Sequence, residues 1–236
     1  GNSHANTSIT INGGEFLCGT VSIGSGYKGD APTLTINGGT FKNVNPDEGA
    51  ALYVYQGHVY INAGKFYGQN IAISNTEGGY IYINYEDDVN VNDVEIDGYN
   101  RAIITKSTVE ISNATVKGVC EILNGGEIYA SDPTNVTFYE ARIGEAANYT
   151  SYETLAQAVQ AAKDNDVVQI IKEGSYDLPE FREKTLTFEG VTLDKKKTSI
   201  KDYVNKGSQG MTGSTVNFKN LTINGANGNY NGLFHT

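Results

Sequence analysis

The sequence predicts an all-β fold, a parallel β-helix in which three short strands make up each rung of a solenoid. The first observation is a repeat, because SITINGGEF (8–16), TLTINGGTF (33–41) and HVYINAGKF (58–66) place an isoleucine every 25 residues. Short alternating segments separated by Asn and Gly at such a period are typical of solenoids. The second observation is that like sequence recurs at a fixed period, which stacks identical strands in parallel, whereas tight hairpins give antiparallel pairs.

The alternation within each repeat predicts three columns of inward side chains. The first column is Ile11, Ile36, Ile61 and Ile111, and the second is Phe16, Phe41, Phe66, Ile96 and Val116. The third pairs Val21 and Ile23 with Leu52 and Val54, then with Ile71 and Ile73, then with Cys120 and Ile122. At the end of the first strand, Asn12, Asn37 and Asn62 are predicted to form a side-chain ladder in the turn.

The repeat between Ile61 and Ile111 is irregular. Both YIYIN (80–84) and VNVND (89–93) fit its first strand, and the sequence leaves the choice open. The segment from Tyr85 to Asp93 is therefore expected to protrude as an insertion, and insertions are where solenoids tend to carry binding residues.

The repeating strand pattern changes near residue 140. We therefore expect a β-helix over residues 1–139 and a second module over residues 140–236. A capping box at Thr150 and Glu153, followed by an apolar stripe at helical spacing, predicts one α-helix near residues 151–163. Three strand-like segments follow: VVQII (167–171), TLTFEGVTL (185–193) and TVNFKNLTI (215–223). Phe188 and Phe218 match at an offset of 30 residues and predict a second set of rungs.

The run from residue 141 to residue 176 resembles the opening of pectin-lyase-like right-handed β-helix modules in surface proteins of gut anaerobic bacteria. The residues that carry the resemblance are Ala141, Ile143, Gly144, Tyr152, Leu155, Ala158, Val159, Ala161, Ala162, Asp166 and Ile170. Asn165 stands where those modules often have Gly. The NGG-x-F repeats look like the same class of proteins. The resemblance implies a right-handed helix, secretion, display at the cell surface and an adhesin-like role, and it names no catalytic residue.

Composition excludes some classes of partner. The chain has 17 Lys and Arg against 27 Asp and Glu, a net charge of -10, which argues against nucleic acid. No run of 18 apolar residues occurs, so we expect no membrane insertion. The two cysteines, Cys18 and Cys120, are expected to be free, buried thiols. The sequence does not indicate an oligomeric state.

The enzymatic hypothesis is a polysaccharide lyase or glycoside hydrolase of the pectin-lyase-like fold. A calcium-dependent lyase needs carboxylates on the cation and a basic group. The candidates are Asp87, Asp88 and Arg101 for catalysis, with Asp87, Asp88 and Asp93 for calcium, the one cofactor considered; Glu86 and Asp97 lie nearby. Asp87 and Asp88 resemble the paired Asp of polygalacturonases, but the other motifs of that family are absent. Enzyme activity is left open, and a non-catalytic role is favoured.

Aromatic residues give the main functional hypothesis. Seven Tyr fall between residues 53 and 85, and several alternate with core positions, so they point outward. We expect Tyr53, Tyr55, Tyr60 and Tyr82 to form a platform for a polysaccharide or host glycan, with Asp87 and Asp88 accepting hydrogen bonds from its hydroxyls. The alternative is cross-strand Tyr packing that only covers the sheet. The expected function is a non-catalytic extracellular adhesion segment, and a phage tail or spike protein is a further alternative.

Overall fold

The computed structural model describes residues 7–17, 19–24, 31–84, 93–192, 197–201 and 213–224. The chain forms two compact units, residues 1–138 and residues 139–236. The boundary lies one residue from the expected division, and the assignment of the units as separate domains stays a prediction. The all-β prediction with one helix is confirmed for the described residues.

The strands of the first unit are short except for two. They are β1 (Ser8–Ile11), β2 (Glu15–Phe16), β3 (Val21–Ile23), β4 (Thr33–Asn43), β5 (Ala50–Val54), β6 (His58–Gly68), β7 (Ile71–Asn75), β8 (Tyr80–Ile83), β9 (Val94–Gly98), β10 (Arg101–Thr105), β11 (Thr108–Ile111), β12 (Ala114–Lys117), β13 (Cys120–Ile122), β14 (Glu127–Ala130) and β15 (Val136–Phe138). YIYIN therefore supplies the strand of the irregular repeat, as β8. The expected insertion lies outside the described residues except for Asp93.

Every strand pairing in the described part of the first unit is parallel, and the pairings form three ladders. The first ladder runs β1, β4, β6, β8, β11, β14. The second runs β2, β4, β6, β9, β12, β15. The third is a separate sheet in the order β3, β5, β7, β10, β13. This arrangement is compatible with a β-helix.

The long strands β4 and β6 belong to two ladders because their register shifts in the middle. The shift lies between Ile36 and Thr40, at the Asn-Gly-Gly of the repeat. Gly39 there has φ +114°, and a Cβ on it would lie 3.0 Å from the carbonyl oxygen of Gly14. Any other residue would be strained in its backbone and crowded by the neighbouring strand. The repeated glycine thus lets successive strands stack at this position.

The predicted isoleucine and phenylalanine columns are confirmed. Ile11, Ile36, Ile61 and Ile111 lie in one ladder, and the structure adds Ile83 between the last two. The second column is in register from Phe16 to Val116 and continues to Phe138. The rings of Phe16, Phe41 and Phe66 are stacked, with centroids 4.7 and 4.8 Å apart. These side chains form the core of the unit.

The third column is confirmed only in part. Val21, Leu52, Ile73, Ile103 and Cys120 are in register. Ile71, however, lies opposite Ala50 and is half-buried. The polar Asn75 is fully buried at the other end of the strand, where its side-chain nitrogen donates to the carbonyl oxygen of Gly79 at 2.7 Å. Cys120 is free, as predicted, and although the residue is partly exposed its thiol is buried, which raises its pKa to about 12. Cys18 lies outside the described residues.

The predicted asparagine ladder is confirmed. Asn62 donates its side-chain N–H to Oδ1 of Asn37, and Asn37 donates in the same way to Asn12, both at 2.9 Å. Each asparagine therefore donates to the one before it in the sequence.

The second unit begins with an antiparallel arrangement that was not predicted from the sequence. Its elements are β16 (Ala141–Glu145), β17 (Asn148–Tyr152), α1 (Leu155–Ala161), β18 (Val167–Ile170), β19 (Gly174–Asp177), β20 (Thr185–Gly190), β21 (Thr198–Lys201), β22 (Thr215–Lys219) and β23 (Thr222–Asn224). Strand β16 pairs antiparallel with β17 and β18, and β18, β20 and β22 then pair in parallel. β19, β21 and β23 form a second parallel sheet. Phe188 lies opposite Phe218, as their offset predicted.

The predicted capping box is wrong. Thr150 lies in β17, paired with Ile143, so the helix begins later than expected. The observed box is formed by Thr154 and Gln157, whose side chains and backbone N–H groups bond reciprocally. The helix has 7 residues and buries Leu155, Ala158 and Val159. In the described part of the chain, no helix has the length and apolar character needed to cross a membrane.

The phenylalanine stack generates a stability prediction. Phe41 is fully buried between two rings, whereas Phe16 is half-buried and has one ring neighbour. Phe41→Ala is expected to lower the free energy of unfolding by about 3–5 kcal/mol, because it removes a core ring and leaves a cavity. Phe16→Ala should cost clearly less. Chemical denaturation measures both, and equal losses would contradict the stacked core.

Candidate functional site

Four aromatic side chains point outward from two neighbouring strands of the first unit. Strands β6 and β8 alternate, so that Val59, Ile61, Ile81 and Ile83 are fully buried. The residues between and before them face the other side. We name these residues, His58, Tyr60, Tyr80 and Tyr82, the aromatic block. In register, His58 lies opposite Tyr80 and Tyr60 lies opposite Tyr82.

The rings of the aromatic block are stacked face to face. The centroids of Tyr60 and Tyr82 are 5.1 Å apart with 14° between the ring planes, and those of His58 and Tyr80 are 5.3 Å apart with 13°. The His58 ring also lies 6.2 Å from that of Tyr82. Because these distances are close to the strand spacing, the rings cover each other and do not spread into a flat platform.

The ladder leaves one side of the aromatic block uncovered by aromatic residues. On β4, Thr33 lies opposite His58 and Thr35 lies opposite Tyr60. On β1, Ser8 and Thr10 continue these two rows. We name Ser8, Thr10, Thr33 and Thr35 the hydroxyl shelf. These side chains are much shorter than a phenol ring. The face of the Tyr60 ring that is turned away from Tyr82 therefore lies beside hydroxyl-bearing side chains that are too short to cover it.

The other side of the block is acidic. Glu110 lies opposite Tyr82, and the next residue in the row is Tyr129, which is 43% exposed. Thr108 on the same strand donates a hydrogen bond to Glu127 at 3.0 Å. Within the block, Nδ1 of His58 is buried and has no hydrogen-bond partner among the residues that the structure describes.

The four tyrosines of the predicted platform lie on two different sheets. Tyr60 and Tyr82 belong to the aromatic block, whereas Tyr53 lies on β5 of the third ladder and Tyr55 follows that strand. The rings of Tyr53 and Tyr55 are 4.4 Å apart and tilted by 34°. The Tyr53 hydroxyl lies 2.8 Å from that of Thr76. The structure thus brings the four residues together as two pairs.

The acidic candidates are described only in part. Asp87 and Asp88, together with Glu86, lie outside the described residues. Asp93 is exposed before β9, and its carbonyl oxygen accepts a hydrogen bond from Gly64. Among the residues that the structure describes, no three His, Cys, Asp or Glu side chains form a group that could hold a metal ion. Calcium binding at Asp87, Asp88 and Asp93 stays a prediction.

The basic candidate Arg101 is engaged in an ion pair. Its Nε lies 2.7 Å from a carboxylate oxygen of Glu121, and its Nη1 donates to the carbonyl oxygen of Asn100. Arg101 lies on β10 of the third ladder, whereas Asp97 lies on β9 of the second. The pairing with Glu121 links neighbouring strands and accounts for the position of the guanidinium.

A polar network that was not predicted from the sequence lies on the outward side of the second ladder. Glu95 accepts from Lys117 and from the hydroxyl of Tyr67, and Lys65 lies 3.7 Å from it. Burial works to raise the pKa of Glu95, but these partners, Lys117 above all, outweigh it and lower that pKa below its usual value. Burial and the Glu95 charge raise the pKa of Tyr67 to about 12. The 30-residue offset between Lys65 and Glu95 could have revealed their register.

No protein-family model, no curated protein and no solved structure matched this chain. The pectin-lyase-like resemblance therefore rests on the residues quoted for it and stays a prediction.

The Glu95 network generates a pH prediction. Because the pKa of Glu95 is lower in the folded chain than in the unfolded chain, its ionised form stabilises the fold. That contribution is fully present above the unfolded pKa, near 4.5, and is lost as the pH falls through the folded pKa. Lys117→Met should lower the free energy of unfolding at neutral pH by about 1 kcal/mol and have less effect at acidic pH.

Lys65→Met is the matched control, since Lys65 is more exposed and farther from Glu95. It should have a smaller effect at neutral pH. Denaturant unfolding across the pH range measures both variants. A Lys117→Met loss that does not depend on pH would contradict the assignment.

Proposed function

We propose that the first unit is a right-handed parallel β-helix with three strands per rung, and that the chain is a non-catalytic, carbohydrate-contacting segment of an extracellular adhesion protein. Three parallel ladders with like side chains in register support the rung assignment. The resemblance to pectin-lyase-like modules supports the handedness and the location. This function rests on that resemblance and on the outward face of the unit.

The observation that carries the proposed contact is the register of Tyr60, whose ring stacks on Tyr82 on one side and lies opposite the short Thr35 of the hydroxyl shelf on the other. A pyranose has an apolar face of C–H groups and a rim of hydroxyls. The C–H face would pack on the ring of Tyr60, and the rim would hydrogen-bond to Thr35 and Thr10, which lie in register with that ring. Stacking of Tyr60 on Tyr82 holds the ring in place, which lowers the entropy cost of binding.

Binding without catalysis fits the position of Arg101. A lyase base must reach the proton beside the uronate carboxyl group. The guanidinium of Arg101 is instead bonded to Glu121 and to the Asn100 backbone. Its ion pair gives Arg101 a structural role on the third ladder.

Carbohydrate retention tests the proposal. The wild-type chain and three variants, Tyr60→Ala, Thr35→Tyr and Thr40→Tyr, are run on immobilised plant and host polysaccharides. Tyr60→Ala should weaken retention by about tenfold, equivalent to roughly 1.4 kcal/mol, because it removes the stacking surface. Thr35→Tyr should weaken retention by a similar factor and keep the fold, because the new ring would stack on Tyr60 and cover the ring face beside the hydroxyl shelf.

Thr40→Tyr is the matched control. It makes the same change on the same strand, but in the row of Lys65 and Glu95. It should leave retention unchanged. If the Thr35→Tyr variant is retained as well as the wild type, the face of Tyr60 beside Thr35 is not the contact. If the wild-type chain is retained on no polysaccharide, the carbohydrate proposal is wrong and a structural stalk is favoured. Unsaturated product from polygalacturonate with Ca²⁺ would favour the lyase alternative.

A further inference from the structure

A cavity of about 620 Å³ lies on the second unit, between one face of α1 and the segment that joins β19 to β20. Helix α1 contributes Ala156, Val159 and Gln160, which share a face because they lie at positions i, i+3 and i+4. The volume falls within the range of pockets that hold small molecules. All of the lining residues belong to the second unit, and none belongs to the surface that is proposed to contact carbohydrate.

The floor of the cavity is apolar, and its rim is exposed. Val159 and Phe181 are 1% and 6% exposed, so both belong to the core of the second unit and offer the cavity only part of their surface. Pro179 is half-buried, whereas Ala156 and Gln160 are exposed. An apolar group in the cavity would therefore leave water and pack against Val159, Phe181 and Pro179.

Three charged side chains line the same cavity, namely Glu180, Arg182 and Lys184. The Nζ of Lys184 donates to the carbonyl oxygen of Ala162 at 2.6 Å, which fixes its position, and an ammonium group has two further N–H donors. Glu180 and Arg182 are exposed, and neither forms a hydrogen bond or an ion pair with another residue that the structure describes. Two positive charges against one negative charge make the lining net positive, in a chain with a net charge of -10.

We propose that this cavity binds a small monocarboxylate with an apolar body. The planar guanidinium of Arg182 matches the two oxygens of a carboxylate, and the remaining N–H groups of Lys184 supply further donors. The apolar body packs on Val159 and Phe181. Glu180 repels a second negative charge, so the class is restricted to ligands with a single carboxylate.

The test uses the full chain and three probes with the same phenyl body: phenylacetate, phenylethanol and phenylethylamine. Binding is followed by NMR from the amide shifts of α1 and of residues 178–184. Phenylacetate should bind at least about tenfold more tightly than phenylethanol, because only the carboxylate bonds to the two cationic side chains. Phenylethylamine should bind most weakly. Equal binding of all three probes, or tightest binding of the amine, would overturn the proposal.

Charge variants locate the carboxylate. Arg182→Gln should weaken phenylacetate binding by about tenfold and leave phenylethanol binding unchanged. Glu180→Gln should strengthen phenylacetate binding, because it removes a like charge. Lys163→Gln is the matched control, since it removes a positive charge from an exposed side chain just after α1 that does not line the cavity. Equal losses in Arg182→Gln and Lys163→Gln would mean a general charge effect and would overturn the proposal.

A second pair of variants locates the apolar body. Ala156→Leu fills the cavity from an exposed helix position with a good helix former, so it should keep the fold and abolish binding of every probe. Ala161→Leu makes the same change at an exposed position of α1 outside the lining and should leave binding unchanged. Phenylacetate binding that persists in Ala156→Leu would place the ligand elsewhere and overturn the proposal.

Discussion

The stacking of like side chains at the spacing of a parallel ladder is the constraint on which the first unit depends. Neighbouring strands lie about 4.8 Å apart, and the stacked rings of Phe16, Phe41 and Phe66 repeat at 4.7 and 4.8 Å. The planes of neighbouring rings differ by only 5° and 7°, so each ring lies nearly parallel to the next. The asparagine ladder repeats at the same interval with one hydrogen bond per step. Any slip of register would separate all of these pairs at once, so they specify a single alignment of the strands.

The same constraint shapes the outward surface. Tyr60 and Tyr82 stack because they occupy the same row, and each hides one face of the other. An aromatic row on such a surface therefore offers a free ring face only where the row changes to a short residue. Thr35 makes that change beside Tyr60. The inward rows stay apolar, while the outward rows vary among Thr, Tyr, Glu and Lys, so differences in function arise on the outward rows.

The features that recur with the 25-residue repeat could be predicted from the sequence. The isoleucine and phenylalanine columns and the asparagine ladder follow from the period, because identical residues at a fixed offset must meet in a parallel ladder. The β16–β17 hairpin was not predicted, since its two-residue loop is Ala146 and Ala147 and lacks the usual Asn-Gly signal. The division of the tyrosines between two sheets was already implied by the predicted columns, since Leu52 and Val54 belong to the third column and Ile61 to the first, and the platform hypothesis did not take it into account. The Glu95 network involves four residues on three strands, and it becomes visible only when their register is known.

The most direct test of the stacked arrangement is a distance between spin labels on Cys replacing Glu15 and Thr137, with Cys18 and Cys120 changed to Ala. These positions begin and end one outward row that passes through Thr40, Lys65, Glu95 and Thr115. Five ladder steps of about 4.8 Å predict a narrow distribution near 24 Å, broadened only by the label linkers. A broad distribution, or one centred well beyond that distance, would contradict the parallel in-register stack.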